Sequence, residues 1–138
     1  MESVRRLRII GKHRETPDTA TFTLEAADGK ALPVYLPGQF LSLILYPHGK
    51  EIRRAYSFSS SPATDKALTI TVKRVVNGAA SNWLLDHVDA GDEVLSASVA
   101  GQFVLPTPLP RRLVYLAAGS GITPVMSHLK TLLVTPEG

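Results

Sequence analysis

Short segments in which apolar and polar residues alternate recur along the first hundred residues, and this repetition most constrains the fold. Leu7 and Ile9 alternate with arginines, and Phe22 and Leu24 alternate with threonines. Because successive side chains of a β-strand point to opposite faces, a period of two indicates half-buried strands. Alternation indicates strands over residues 4–10, 20–24, 68–72 and 93–99, the apolar run 41–46 bounded by turn residues indicates a central strand, and a sixth strand ends near Arg54.

Turn-forming residues separate these strands, among them Pro17-Asp18, Asp28-Gly29 and Pro47-His48-Gly49. Repeated short strands of this kind favour a closed antiparallel barrel, which leaves no exposed strand edge. The fold class is therefore mainly β. One helix is predicted among the strands, from about Ala79 to Val88, because its apolar residues recur at helical spacing.

The character of the chain changes after the last strand. Three prolines between Pro106 and Pro110 form a stiff connector that is unsuited to a strand interior. The apolar run 113–117 then predicts a strand covered on both faces in a parallel sheet, and Ile122 to Val134 predicts an amphipathic helix. We therefore expect a barrel domain over 1–106, a linker over 107–112 and the start of a second domain over 113–138.

Composition excludes several classes of function. The 138 residues include no cysteine, which excludes a cysteine-ligated iron–sulfur cluster, a thiol nucleophile and a disulfide framework in this chain. A formal charge of +3 is too small a surplus to indicate a nucleic-acid partner. No segment has the length and apolarity of a membrane span, so we expect a soluble, cytoplasmic protein without a membrane partner.

Basic residues and histidines each leave two interpretations open. The basic residues of the first segment could dock an acidic partner or form a solvated strand face, and the second interpretation is favoured. These residues are Arg5, Arg6, Arg8, Lys12 and Arg14. The four histidines show no metal-ligand spacing, so each is expected to be a surface or packed residue.

Paired guanidinium groups, an aromatic ring and a run of hydroxyls occur together in residues 53–62. Alternation sends Arg54 and Tyr56 to one side of a strand and Ala55 and Ser57 to the other. An arginine can bind a phosphate in a bidentate manner, and a tyrosine two residues later offers a flat face to a ring. The pattern predicts a site for a phosphate attached to a flat ring, although a strand with one exposed arginine and one packed tyrosine would look the same.

Two glycine turns offer further sites for phosphates. Gly78 and Ser81 flank the start of the first helix, where free backbone amides and the helix dipole favour an anion, although an ordinary helix cap has the same sequence. Lys73 adds positive charge just before it. The turn from Gly119 to Gly121 follows an apolar run and precedes a helix, where a dinucleotide could approach the backbone closely.

The order of five motifs is far more specific than any one of them. They are Pro37-Gly38-Gln39-Phe40, Arg54-Ala55-Tyr56-Ser57, Gly78-Ala79-Ala80-Ser81, Gly101-Gln102-Phe103 and Gly119-Ser120-Gly121-Ile122-Thr123-Pro124. In this order they resemble the ferredoxin-NADP reductase family of flavoproteins, and in particular the reductase components of bacterial oxygenases. The resemblance implies a six-stranded antiparallel Greek-key flavin-binding barrel followed by a doubly wound pyridine-nucleotide domain.

The resemblance also implies a role for each matching residue. Arg54 would hold the flavin phosphate, Tyr56 would stack on the isoalloxazine and Ser57 would hydrogen-bond near its N5. Thr123 would lie near the flavin and face the nicotinamide, so Ser57 and Thr123 are the implied catalytic residues. The implied cofactor-binding residues are Arg54, Ala55, Tyr56, Ser57, Val72, Lys73, Val75, Gly78, Ala79, Ala80, Ser81, Gly119, Gly121 and Thr123.

The implied activity is electron transfer from NAD(P)H through FAD to an iron–sulfur protein or oxygenase-type acceptor. FAD is favoured over FMN because the helix terminus at Gly78 offers a second phosphate a place to bind. A non-catalytic barrel that serves as a binding or interaction module without flavin is the alternative.

The chain departs from the family pattern after its last predicted helix. Only the first strand and helix of the nucleotide domain are present, so the chain is expected to be inactive or weakly active by itself. The apolar residues of 113–117 and of the last helix lack a complete core, at a cost of about 1.5–3 kcal/mol for each exposed side chain. We therefore expect the C-terminal segment to pack back on the barrel, to pair with another copy, or to be poorly ordered.

Overall fold

The structure, a computed structural model, describes residues 4–135 except for the side chain of Ser120. Six strands and two helices make up the regular structure of these residues. In chain order they are β1 (Arg5–Thr16), β2 (Thr19–Ala26), β3 (Phe40–Leu45), β4 (Ile52–Ser57), β5 (Leu68–Lys73), α1 (Ala79–His87), β6 (Glu93–Ala100) and α2 (Ile122–Val134). Short 3-10 turns cover Pro47–Gly49 and Gly119–Gly121.

All the strand pairs are antiparallel, and the six strands form one sheet in the order β4-β3-β6-β1-β2-β5. The two edge strands approach each other just after β4, where Phe58 bridges to Ile70 and the Ser59 amide donates to the Thr69 carbonyl at 2.9 Å. The sheet does not close fully, yet it curves into a barrel. The predicted mainly β class and six-stranded antiparallel barrel are confirmed.

The barrel interior is a single apolar core. Leu41 and Leu43 of β3 share it with Phe22 and Leu24 of β2, and all four are buried. Alternate residues of each strand point inward, as the period of two predicts. The core continues under α1, where Leu84 is buried, so this helix is a structural part of the barrel.

Strand β1 is longer than the predicted segment 4–10. Its register with β2 shifts between Ile9 and Gly11, which marks a bulge. Beyond the bulge the strand continues to Thr16 with polar residues that pair only with β2. The alternating pattern stops at the bulge, which is why the sequence predicted a shorter strand.

The basic residues of β1 have partners within the chain. Arg6 pairs with Glu93 at 3.2 Å, and Arg8 pairs with Glu25 at 3.2 Å. The Lys12 ammonium donates to the carbonyls of Leu85 and Val88, each at 2.8 Å, and so caps the C-terminal end of α1. These contacts support the interpretation of a solvated strand face over that of a docking surface.

The predicted strand over 113–117 is not present. These residues have no regular secondary structure, and Val114 and Leu116 are 88% and 97% exposed. A strand of a parallel sheet exists only when a neighbour accepts its hydrogen bonds, and among residues 4–135 no strand lies beside this segment. The prediction of a strand here was wrong for the residues that the structure describes.

Helix α2 has the predicted bounds, but it docks on the barrel mainly through polar residues, with Val125 as the buried member of the apolar stripe. Ser127 and His128 are buried, whereas Met126, Leu129 and Leu133 of the apolar stripe are exposed. The Ser127 hydroxyl donates to the Ser60 carbonyl at 2.6 Å, and Thr131 bonds the Ser61 hydroxyl at 2.6 Å. Of the three expected outcomes for the C-terminal segment, packing back on the barrel is therefore what α2 shows.

His128 is the central contact between α2 and the barrel. Its Nε2 lies 2.9 Å from the Pro37 carbonyl and 2.8 Å from the Phe103 carbonyl, so this nitrogen carries a proton and donates. Its Nδ1 accepts from the Tyr115 hydroxyl at 2.8 Å, and its ring stacks on Phe103. One side chain thus joins α2, the connector and the loop before β3.

Substitution of Gly38 by alanine is expected to release this contact. Gly38 has φ +97, and a Cβ there would overlap the Phe103 carbonyl and His128 Nε2. We expect Gly38→Ala to lower the free energy of unfolding by more than about 3 kcal/mol. Gly29→Ala is the matched control, because Gly29 also has positive φ but has no atom within 4 Å of a Cβ. Gly29→Ala should lower the free energy of unfolding by only about 1–2 kcal/mol, the cost of backbone strain. Urea unfolding measures both variants, and equal losses would contradict the proposed overlap.

Substitution of Ser96 by alanine is expected to stabilise the barrel. The Ser96 hydroxyl is fully buried and has no hydrogen-bond partner among residues 4–135. Because a buried unpaired hydroxyl costs folding free energy, Ser96→Ala should raise the free energy of unfolding by about 1 kcal/mol. Ser98→Ala, two residues along the same strand and exposed, should change it by less than about 0.5 kcal/mol. Destabilisation by Ser96→Ala in thermal or urea unfolding would show that the hydroxyl is in fact satisfied.

Acid is expected to weaken the attachment of α2. Burial raises the pKa of Asp65, but the Ser61 amide and the Lys130 ammonium together hold that pKa below its ordinary value of 3.8. The stabilisation is therefore complete above the unfolded pKa and is lost as the pH falls through the lower folded value. The protection factors of the α2 amides, which correct for the slower intrinsic exchange in acid, should fall below about pH 4, and less steeply so in Asp65→Asn than in the parent. An unchanged pH profile in that variant would rule out this contribution.

Candidate functional site

Strand β4 presents Arg54 and Tyr56 on one face. In the pairing with β3, Arg54 lies opposite Leu43 and Tyr56 lies opposite Leu41, so both point to the core side of the sheet. Tyr56 is half-buried against the core, and burial raises the pKa of its hydroxyl while Arg54 lowers it. Because β4 is an edge strand, Arg54 remains exposed. The structure therefore places a guanidinium and an aromatic ring side by side at an open edge.

Arg54 and its neighbours Ala55 and Ser57 differ in exposure and in hydrogen bonding. The Arg54 guanidinium donates to the carbonyl of Arg53 at 2.8 Å, a local contact that leaves its other nitrogens available. Ala55 is exposed on the opposite face, across from Ser42. Ser57 ends β4 half-buried, and within residues 4–135 its hydroxyl has no hydrogen-bond partner.

The other hydroxyls of this run serve the fold. Ser59 bonds the Thr69 hydroxyl of β5 at 2.7 Å, and Ser60 bonds the Tyr35 hydroxyl at 2.7 Å. Ser61 bonds Thr131 of α2. Of the serine hydroxyls in residues 53–62, Ser57 is therefore the one that the structure leaves for a ligand.

The connection from β5 to α1 is locked by internal hydrogen bonds. The Val75 amide donates to the Ser81 hydroxyl at 2.9 Å, and the Gly78 amide donates to the Val75 carbonyl at 2.8 Å. A Cβ on Gly78 would lie 2.9 Å from the Ser81 hydroxyl, so the turn needs glycine. The structure thus brings Val75, Gly78 and Ser81 together, with the Ser81 hydroxyl bound to the backbone.

The start of α1 has the properties of an anion site. No side chain caps it and its first turn carries no acidic residue. The first amides of a helix have no intrahelical partner, so those of Ala79, Ala80 and Ser81 are donors without a cap. The side chains of Ala80 and Ser81 are buried, which leaves backbone groups as the means of contact.

The two basic residues before α1, Lys73 and Arg74, differ in whether their charge is paired within the fold. Arg74 pairs with Asp86 at 2.8 Å and bonds Asn82 at 2.6 Å, so its charge is used within the fold. Lys73 is exposed at the end of β5. Val72 is fully buried in the core, so the structure disfavours it as a ligand contact and favours Lys73 and the exposed Val75.

A cleft of about 640 Å³ lies between the start of α1 and β4. Ile52 of β4, Gly78 and Ala79 of α1, and the turn residue His48 line it, with Trp83 further along the helix. Trp83 lies between two histidines, with ring centroids 6.0 Å from His48 and 4.7 Å from His87. Sequence reasoning missed this group, because His48 and Trp83 are 35 positions apart and no local pattern links them.

The last group of predicted residues lies at the start of α2. Gly119 and Gly121 are exposed in the 3-10 turn that precedes the helix, and Thr123 is 8% exposed in its first turn. The contacts that hold α2 are made further along the helix, at His128 and its neighbours. The roles of Gly119, Gly121 and Thr123 stay predictions.

A six-stranded antiparallel barrel that presents an arginine and a tyrosine on an edge strand, beside an uncapped helix start, defines a class of flavin-binding barrels. The chain belongs to the oxidoreductase FAD-binding domain family, whose model matches residues 6–105. The resemblance to flavin-binding reductases and the prediction of FAD as the cofactor are thereby confirmed.

Relatives of known name agree with this assignment. The chain is 43% identical over 129 residues to an NADPH oxidoreductase of Mycobacterium tuberculosis, a match that covers 91% of the chain and 34% of that protein. It is 40% identical over 145 residues to the ferredoxin reductase component of 3-ketosteroid-9-alpha-monooxygenase from the same species, a match that covers 99% of the chain and 40% of that protein. The crystal structure of the Amycolatopsis cytochrome P450 reductase GcoB superposes with a TM-score of 0.79 at 29% identity, over 96% of the chain and 40% of that structure.

The chain therefore spans about a third to two-fifths of the length of the curated relatives it matches. Within residues 4–135, none of the helices combines the length and apolarity needed to cross a membrane. The same part of the chain brings no three metal-ligating side chains together.

Proposed function

We propose that this chain is the flavin-binding portion of an NAD(P)H-dependent reductase that passes electrons through FAD to an iron–sulfur protein or an oxygenase-type acceptor. The observation that carries this proposal is the position of Arg54 and Tyr56 on one face of the edge strand β4, whose Ile52 lines a cleft with Gly78 and Ala79 at the start of α1. The names of the relatives, which include a ferredoxin reductase component, support the class of acceptor.

The residues present fit FAD. The Arg54 guanidinium can turn from its local contact to a phosphate, and the free amides of α1 offer a second phosphate a place to bind. The Tyr56 ring offers a flat face to the isoalloxazine, and the unpaired Ser57 hydroxyl can donate to a ring nitrogen. Two separate groups of phosphate donors favour FAD, with its pyrophosphate, over FMN.

The redox chemistry is supplied by the flavin when it is bound. The residues of this chain hold, orient and shield it. Tyr56 would cover one face of the ring, and Ser57 would place a hydroxyl at the ring edge, which is the basis for its proposed catalytic role. Thr123, buried in the first turn of α2, has the corresponding proposed role on the side of the nicotinamide.

The segment after the barrel is proposed to belong to a pyridine-nucleotide domain. Residues 1–106 form the proposed barrel domain and 107–112 the linker, and the exposed turn Gly119–Gly121 would approach NAD(P)H through its backbone. The exposed apolar side chains of 113–117 and α2 are a surface that such a domain would cover. Self-association of the chain through the same surface is the competing proposal.

Removal of the Arg54 guanidinium is expected to weaken FAD binding. Because hydrogen bonds to charged groups contribute about 1.5–3 kcal/mol, Arg54→Ala should raise the Kd for FAD by roughly ten- to a hundred-fold. Arg53→Ala is the matched control, since it removes the same charge from the opposite face of β4. Titration with FAD, followed through the flavin absorption bands, measures both.

Two outcomes would contradict the proposal in different ways. Equal weakening by the two substitutions would show that only the net charge of the edge strand matters. A parent protein that binds no flavin in excess FAD would instead favour the non-catalytic barrel.

A further inference from the structure

The buried face of α2 carries hydroxyl groups at a regular spacing. Thr123, Ser127 and Thr131 are four residues apart, so they lie one above another along the same face of the helix. Thr123 and Ser127 are buried, and Thr131 is half-buried. Because hydrogen bonds are directional, a helix that docks through hydroxyls is held in one register more strictly than a helix that docks through apolar side chains. We call these three residues the hydroxyl ladder of α2.

Two of the three hydroxyls have partners on the barrel, in the loop that follows β4. Ser127 donates to the Ser60 carbonyl at 2.6 Å. The Thr131 hydroxyl lies 2.6 Å from that of Ser61. Thr131 gives its own proton to the Ser127 carbonyl at 3.0 Å, so Ser61 is the donor in the contact with Thr131. The hydroxyl ladder therefore contacts the segment that directly follows the proposed flavin residues of β4.

The barrel side of this contact is fixed by the barrel itself. Phe58 is fully buried and stacks on Tyr35, with ring centroids 4.1 Å apart. The Ser60 hydroxyl accepts from the Thr69 amide at 3.0 Å and bonds the Tyr35 hydroxyl. Ser59 is held to Thr69 by two hydrogen bonds. Since residues 58–60 are anchored in this way, they form a support that sets the position of α2.

The order of the contacts directs the start of α2 toward the end of β4. Successive members of the hydroxyl ladder contact Ser61 and then Ser60, so each step toward the start of the helix is a step back toward β4. Thr123 is the next member, about 6 Å further along the helix axis, and this distance corresponds to about two residues of extended chain. The Thr123 hydroxyl is thus directed toward the end of β4, where Ser57 lies.

His128 adds a contact to the side of the hydroxyl ladder. It follows Ser127 directly, so its side chain points about 100° away around the helix axis. Its Nε2 donates to the Pro37 and Phe103 carbonyls at 2.9 and 2.8 Å. Contacts along a single line would let the helix roll about that line, whereas a contact beside the line prevents this. The hydroxyl ladder therefore fixes the register of α2, and His128 fixes its rotation.

We propose that Ser127 and His128 are positioning residues that hold Thr123 at Ser57, and so set the separation of the two implied catalytic hydroxyls. The inference rests on the proposed function, in which both hydroxyls act at one flavin. It assigns the geometry of that site to two residues outside the five sequence motifs, which act through Thr123.

The absence of cysteine from the chain allows a direct test of this placement. A double variant with Ser57→Cys and Thr123→Cys should be joined by a short bis-maleimide, without any flavin present. The control combines Ser57→Cys with Ile122→Cys, which moves the second thiol to the adjacent, exposed position of α2. Peptide mass spectrometry identifies the cross-link. Equal yields from the two pairs, or no cross-link in either, would overturn the proposal.

Amide exchange tests the contribution of Ser127. The amides of residues 126–129 bond the carbonyls of residues 122–125, so their protection reports the order of the first turns of α2. Ser127→Ala should lower this protection by roughly two- to ten-fold, which is the loss of one hydrogen bond. Met126→Ala, on the exposed side of the same helix, should change it by less than about two-fold. Unchanged protection in Ser127→Ala would overturn the role of this residue.

A conservative substitution separates the hydrogen bonds of His128 from its packing. Glutamine carries an amide donor at nearly the reach of Nε2, whereas leucine fills similar space without a donor. His128→Gln should therefore retain most of the protection that His128→Leu loses. Equal losses in the two variants would overturn the positioning role of the imidazole.

Addition of FAD separates this inference from the proposed function. Saturating FAD should raise the protection of residues 126–129 in the parent protein, because a ligand that contacts the docked helix stabilises it. FAD that binds without this rise would overturn the inference and leave the proposed function intact. If the parent protein binds no FAD, the proposed function fails, and a cross-link specific to the Ser57 and Thr123 pair would still support the placement of α2.

Discussion

The pairing of β4 with β3 determines where the proposed flavin-binding residues lie. Leu41 and Leu43 face the core, so the residues opposite them, Tyr56 and Arg54, must also lie on the core side. A shift of register by one residue would turn both to the outer surface. Because β4 is an edge strand, the same pairing anchors Tyr56 against the core and leaves Arg54 accessible. The placement of Arg54 and Tyr56 thus depends on the burial of Leu41 and Leu43.

Sequence reasoning was most reliable where one local signal decided the structure. Alternation located β1, β2, β5 and β6, an apolar run bounded by turn residues located β3, and helical spacing located both helices. It failed at 113–117, where a continuous apolar run predicts a strand only if another strand pairs with it. The extension of β1 was missed because the bulge near Gly11 interrupts the alternation.

The site was predictable in part, for a related reason. Arg54 and Tyr56 are two residues apart, so alternation alone places them together, and Gly78 directly precedes a helix that its own sequence predicts. Contacts between residues that are distant in the sequence leave no local pattern from which they could be predicted. The pairing of Arg74 with Asp86, the meeting of His48 with Trp83 and the burial of Val72 each depend on how distant segments pack.

The barrel-facing side and the outer side of helix α2 differ in their chemistry. Its attachment to the barrel includes hydrogen bonds from Ser127 and His128, an ion pair from Lys130 and the buried side chain of Val125, while Met126, Leu129 and Leu133 form an apolar surface on the other side. Hydrophobic association weakens on cooling, whereas hydrogen-bonded contacts do not share that temperature dependence. A partner held on the outer surface of α2 by apolar contacts would therefore bind more weakly as the temperature falls. Cooling would weaken apolar association on the outer side of α2 more than the hydrogen bonds on its barrel side.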